Sequence, residues 1–169
     1  MAPDAPSSIT IIGAGLAGSE CAYQLARLGH EIVLREQKPQ QRSPAHQRDE
    51  FPELVCSNSL RSDNPQSAIG LLHAELRRVG SLVLAAADRC RVPAGDALAV
   101  DREQFSKDVQ RHLVACPNLT IVPGEVTEVP EGVVVVATGP LTSQALTDAL
   151  TPHLGEKLYF YDAIAPIVA

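Results

Sequence analysis

Apolar and polar positions alternate in two distinct ways along this chain, and the switches between them mark its elements. Residues Ser8-Ile9-Thr10-Ile11-Ile12 form a short apolar run. The glycine-rich Gly13-Ala14-Gly15-Leu16-Ala17-Gly18 follows, then a helical stretch to Gly29 and a second apolar run, Glu31-Ile32-Val33-Leu34. Strand, tight turn, helix and strand in that order make a βαβ opening. Within the helix Ala17, Cys21, Leu25 and Leu28 recur at three- and four-residue steps, which predicts that they share the inner face, with Gly29 as a left-handed stop. Cys21 on that stripe reads as a packed core thiol, because buried thiols behave as small hydrophobes.

Periodicity then vanishes from Gln37 to about Pro65, where Pro, Gln, Arg and Ser surround one apolar island, Phe51-Pro52-Glu53-Leu54-Val55-Cys56. An irregular stretch this long inside a compact domain is usually functional or disordered, and it reads as an active-site loop insertion over 37–67. Helical spacing returns with Ile69, Leu72, Leu76, Val79 and Val83, which predicts one amphipathic helix with His73 flanking its stripe, partly exposed. Asp101-Arg102-Glu103-Gln104 reads as a capping box opening a helix whose inner face is Phe105, Val109 and Leu113. Short strands are predicted at Leu119–Val122 and Gly124–Val129, and Val133-Val134-Val135-Val136 reads as a strand buried on both faces. A helix from Thr142 to Leu154 and a strand region from Leu158 to Val168 complete the pattern. The chain stops on the apolar run Ala165-Pro166-Ile167-Val168-Ala169, which suggests a fold continuing in a longer parent chain or an edge covered by a partner.

Composition narrows the class. With 169 residues, 45% of them hydrophobic, one domain over 1–169 with one core is the expectation. Fourteen Lys and Arg against 20 Asp and Glu give a formal charge of -6, so the chain lacks the basic excess of a self-sufficient nucleic-acid binder. Four separate cysteines, with no C-x-x-C pair, argue against both a zinc site and a disulfide framework. No signal-peptide pattern and no apolar run of membrane-spanning length are present, so the expected location is cytoplasmic, without a membrane partner.

The glycine turn carries the first candidate chemistry. Gly13-x-Gly15-x-x-Gly18 lies directly after a strand and before a helix, where each glycine has its own role. Gly13 permits the turn, Gly15 lets backbone approach a pyrophosphate, and Gly18 lets helix and strand pack closely. Amides at the helix start, from Ala14 through Leu16 and Ala17, then face phosphate charge. Glu36 closes the second strand roughly twenty residues beyond the fingerprint, where a carboxylate accepts from ribose hydroxyls and repels a 2'-phosphate. FAD or NAD is therefore favoured over NADP at this site. Ala137-Thr138-Gly139-Pro140 after the valine strand resembles the Ala-Thr-Gly segment of two-domain flavoproteins, which tips the reading to FAD, with Thr138 and Gly139 beside the cofactor.

Cys56 stands apart from the other thiols, in the polar segment Leu54-Val55-Cys56-Ser57-Asn58-Ser59-Leu60-Arg61-Ser62 with Arg61 nearby. A neighbouring cation favours the nucleophilic thiolate, yet composition alone favours a buried structural thiol.

Five segments together, Gly13 to Glu20, Glu53 to Ser62, Val92-Pro93-Ala94-Gly95, Ala137 to Ser143 and Tyr159-Phe160-Tyr161-Asp162, resemble the FAD- and folate-dependent tRNA (uracil-5-)-methyltransferases. The likeness covers nearly the whole chain, and the cysteine loop is its most specific part. It implies methyl transfer to C5 of a uridine in the T loop of tRNA. Methylenetetrahydrofolate would give the carbon, reduced FAD the electrons, and NADPH or NADH would recharge the flavin. By the same resemblance Cys56 matches one of two functional cysteines, with covalent or acid-base duty on the uracil, and Arg61 supports thiolate or substrate. The family's second cysteine, and much of its folate and tRNA surface, lie beyond Ala169, so the 169-residue chain alone is expected to be catalytically incomplete. The fold implied is α/β, a Rossmann-like FAD-binding domain with a parallel central sheet, short of its final segment. A generic FAD- or NAD-dependent oxidoreductase and an inactive cofactor-binding fragment remain as alternatives.

Overall fold

The computed structural model describes residues 8–154. Four strands, β1 (Ile9–Ile12), β2 (Ile32–Glu36), β6 (Leu119–Pro123) and β7 (Val133–Val136), make an all-parallel sheet in the order β6-β2-β1-β7. Ile9 pairs with Ile32 on one side and Val133 on the other, so the central strand has neighbours along its whole length. Helix α1 (Leu16–Arg27) makes the crossover from β1 to β2, as the βαβ pattern predicts, and Gly29 follows its end with a φ of 90°.

Between β2 and β6 the chain inserts a second layer. Strands β3 (Ser59–Ser62), β4 (Arg91–Val92) and β5 (Ala97–Val100) form a small antiparallel sheet in the order β3-β5-β4, interleaved with α2 (Ala68–Arg78) and α3 (Leu82–Arg89). Helix α4 (Arg102–Val114) leads back to β6, and α5 (Gln144–Leu154) follows β7. Phe105, Val109 and Leu113 of α4 are fully buried with Ile11, Leu34 and Leu98, so one core joins the two sheets. Asp101 accepts from the N–H groups of Glu103 and Gln104, the cap that opens α4.

Several expectations are corrected. The inner face of α1 is Gly18, Ser19, Ala22 and Ala26, one step round from the expected stripe, while Ala17 and Leu28 are exposed. Close helix–sheet packing explains the rotation: a Cβ at Gly18 would lie 1.8 Å from the Gly13 carbonyl oxygen, so only the small-residue face fits. Cys21 stays half-buried against the core. The helix expected through Val83 is broken at Gly80, whose φ of 74° ends α2, after which Ser81 accepts from Leu84 N–H and starts α3. His73 is buried, its Nδ1 3.1 Å from Asp63 Oδ1, and Leu72 and Val79 are exposed instead. Asp63 also binds Arg77 and Arg91, and this charged network, rather than an apolar stripe, seats α2. Residues 124–129 form no strand, and β3 lies within the stretch expected to be irregular. The valine strand is not buried on both faces: β7 is an edge of the described sheet, and Val133 and Val136 are 45% and 41% exposed. The expected strand at 158–168 and the Tyr159–Asp162 segment lie outside the described residues.

Candidate functional site

The sheet order fixes where a site can form. From β6 at one edge the chain crosses to β7 at the other side of β1, and ligands of open α/β sheets bind outside the carboxyl ends of the strands at such a reversal. A cleft of about 310 Å³ opens there, between the ends of β1, β2 and β7. The expected residues Gly13, Ala14, Gly15, Leu16, Ala17, Glu36, Thr138 and Gly139 all line it; Gly18 stands just behind.

The three glycines separate cleanly. Gly13 has a φ of 96°, and a Cβ there would lie 2.9 Å from the Ala137 carbonyl oxygen, so the turn is sealed against the segment after β7. Gly18 is required by the 1.8 Å approach already described. Gly15 is different: a Cβ on it would meet nothing within 4 Å. Among the described residues no atom demands a glycine there, and the space over it belongs to the cleft. Gly15 is also the N-cap of α1 and makes no side-chain cap, so the first amides of the helix have no side-chain acceptor at that cap and open on the cleft with the positive end of the helix dipole.

Glu36 is buried at the cleft floor. Its Oε2 accepts from Ala14 N–H at 2.8 Å and its Oε1 from Lys38 N–H at 3.0 Å. Each carboxylate oxygen keeps further acceptor capacity. Across the cleft, Gly139 has a φ of 65° and opens a short 3-10 turn, Gly139–Leu141, held by Thr142 Oγ1, which donates to the Gly139 carbonyl at 2.8 Å.

Sequence reasoning missed Lys38, His46 and Glu53, which the insertion folds into the cleft wall. Lys38 and Glu53 form an ion pair at 3.5 Å with side chains only 2% and 7% exposed. Burial pushes the Glu53 carboxyl up, but the N–H groups of Gln47 and Arg48 and the Lys38 ammonium outweigh it and hold it below the usual range. His46 is held below the usual imidazole range, by burial first and by Lys38 second. The one available signal was the apolar island: Phe51 and Val55 line the cleft, and Phe51, Pro52 and Leu54 are buried.

Cys56 ends that island and is exposed, outside the residues that line the cleft. Arg61 lies on β3 with a φ of 72° at an irregularity in the pairing with β5. Among the described residues its guanidinium donates no hydrogen bond, and none joins it to the Cys56 sulfur. Burial raises the thiols of Cys21, Cys90 and Cys116 above their ordinary value, which disfavours their thiolates.

Strand order, crossover helix, glycine turn and cleft define a Rossmann-like α/β protein with its site at the carboxyl ends of the strands. More narrowly, the chain belongs to the family described as Glucose inhibited division protein A, whose profile matches residues 8–169. It is 65% identical over 167 residues to a Myxococcus xanthus protein named methylenetetrahydrofolate--tRNA-(uracil-5-)-methyltransferase TrmFO, covering 98% of this chain and 36% of that one. A Bacillus subtilis protein of the same name is 53% identical over 162 residues, covering 95% of this chain and 37% of its own. The chain thus spans little more than a third of these relatives' length. Among solved structures, Aquifex aeolicus GidA superposes with a TM-score of 0.63 at 18% identity, over 79% of this chain and 25% of that one, a likeness of fold. No helix among the described residues is long and apolar enough to cross a membrane.

Proposed function

We propose that this chain is the FAD-holding part of a folate- and FAD-dependent tRNA (uracil-5-)-methyltransferase and carries one of its functional cysteines. The observation that carries the reading is the open glycine turn at the start of α1, with the Glu36 carboxylate bonded to its Ala14 N–H at the floor of the same cleft, in a chain so close to proteins of that name. Amides from Gly15 to Ala17 hold the diphosphate, Glu36 accepts from the ribose, and the backbone at Thr138 and Gly139 runs alongside. When bound, FAD supplies the electrons that turn a folate-borne methylene into a methyl group, and NADH or NADPH restores them. Uracil C5 is a poor nucleophile until a group adds at C6. The Cys56 thiolate makes that bond, pushing an electron pair toward C5 for attack on the methylene carbon, and leaves when the C5 proton is lost. Arg61 steadies the thiolate or the base. The acidic balance of this chain fits a tRNA surface supplied elsewhere in the longer architecture.

The test uses the full-length protein, a tRNA transcript and methylenetetrahydrofolate labelled in the methylene carbon. Label should reach the T-loop uridine only when FAD and NADH or NADPH are present. Cys56→Ala should retain flavin yet lose at least roughly 100-fold in rate, as expected of a covalent nucleophile. Unimpaired transfer by Cys56→Ala refutes the cysteine's role, and flavin reduction of a small acceptor without any need of folate favours a plain oxidoreductase.

A further inference from the structure

Lys38 has no part in the chemistry above, yet it is the most deeply buried cation of the cleft wall. A buried ammonium is costly unless it is paired and hydrogen-bonded. Here Nζ donates to the Glu50 carbonyl at 2.6 Å and lies 3.5 Å from Glu53 Oε2, while the Lys38 N–H donates to Glu36 Oε1 at 3.0 Å. Glu53 in turn accepts from the N–H groups of Gln47 and Arg48, at 3.0 and 3.3 Å. One residue therefore ties the acid at the end of β2 to the turn over 47–53, and that turn runs through Val55, a cleft residue, straight into Cys56.

We propose that Lys38 is a positioning residue whose buried ion pair with Glu53 couples occupancy of the cleft to the ordering of the Cys56 segment. The inference rests on the reading of the cleft as an FAD site. A ligand hydroxyl bound by Glu36 engages the carboxylate that fixes Lys38, Lys38 fixes Glu53, and only Leu54 and Val55 separate Glu53 from Cys56. Apolar side chains of similar size would hold a wall as well or better than a buried ion pair. What they would lack is a directional link from the cofactor acid to the cysteine.

The experiment follows the full chain by amide hydrogen exchange, read residue by residue at 56–58, with and without FAD, while flavin fluorescence measures FAD affinity separately. Residues 56–58 do not line the cleft, and comparison with a variant that lacks the ion pair separates transmitted from direct protection there. The key variant, Lys38→Met with Glu53→Gln, removes both charges and leaves no orphan ion; a thermal melt checks its fold. In the unaltered protein, saturating FAD should slow exchange at 56–58 by roughly 5-fold or more, the usual scale of coupling between sites. The double variant should still bind FAD but show less than about a twofold change. Glu53→Gln alone, which leaves the Lys38 ammonium with the Glu50 carbonyl but no ion partner, should retain only part of the slowing. Equal slowing in all three proteins overturns the role of Lys38. FAD binding to the unaltered chain with no change at 56–58 overturns the coupling alone, whereas failure to bind FAD at all overturns both the coupling and the cofactor reading.

Discussion

Replacing Gly15 by alanine separates ligand recognition from folding. Gly15 sits at φ -66° and ψ -171°, an extended conformation open to any residue, and the added Cβ meets no protein atom within 4 Å. At a site with compatible backbone, Gly→Ala stabilises by about 0.4–1 kcal/mol, because the unfolded chain loses freedom, but alanine is a poorer N-cap than glycine, so stability should change by less than about 1 kcal/mol. The same methyl stands over the amides that open α1, where a diphosphate oxygen must come within hydrogen-bonding distance. Loss of one charge-assisted hydrogen bond is worth about 1.5–3 kcal/mol. That converts to roughly a 10- to 150-fold weaker Kd for FAD. Flavin fluorescence titration gives the affinity and urea unfolding gives the stability of the same preparation. Gly18→Ala is the contrasting control: its Cβ would fall 1.8 Å from the Gly13 carbonyl oxygen, so it should lower stability severely. A folded Gly15→Ala protein that binds FAD as tightly as the unaltered chain would refute the role of the glycine turn.

Two further outcomes follow from charged groups outside the cleft. Burial alone would raise the Asp63 carboxyl, but Arg77, His73 and Arg91 hold it below its ordinary value, so its contribution to stability is present above the unfolded pKa near 3.8 and is lost as pH falls through the lower folded value. Asp63→Asn should cost about 2 kcal/mol at pH 7, less than a fully buried pair because both arginines reach solvent, and urea midpoints of variant and parent should converge as pH drops below 3.8. Glu20 of α1 accepts from Ser81 Oγ at 2.8 Å and from Val83 N–H at 2.9 Å, capping α3 from another helix, so Glu20→Ala should cost about 1–2 kcal/mol in thermal or urea unfolding without altering FAD affinity.

The cleft was legible in the sequence because its determinants are local. A glycine turn between strand and helix, an acid at the end of the next strand and a Thr-Gly after a later one each declare themselves within a few residues, and parallel pairing then brings them together at one end of the sheet. The insertion was not legible, because what holds it is distant in sequence and polar. Asp63 reaches Arg77 and Arg91, and Lys38 reaches Glu53, pairs that leave no periodic trace. His73 illustrates the cost of reading by period alone: at the margin of an apolar stripe it looked exposed, whereas an ion network on that face buries it. The inner face of α1 was displaced for a related reason, since apolar size marks a helix stripe only where the partner surface leaves room for it.

Placement of Cys56 depends on a framework that neither sheet supplies by itself. The segment preceding it is fastened to α4, where Ser106 Oγ donates to the Pro52 carbonyl at 2.7 Å and Arg102 donates to the Leu54 carbonyl at 3.3 Å. Arg48 adds an ion pair with Glu103 at 3.1 Å. Because Phe105, Val109 and Leu113 anchor α4 in the core shared by both sheets, the cysteine segment inherits its position from the same packing that fixes the strand ends of the cleft. The role proposed for Cys56 would need that common reference, since displacements near 1 Å are enough to cost about 100-fold in rate. Exposure of the Cys56 side chain then suits the proposed nucleophile, whose preceding residues are fastened from within while its sulfur is left open toward a substrate arriving from outside.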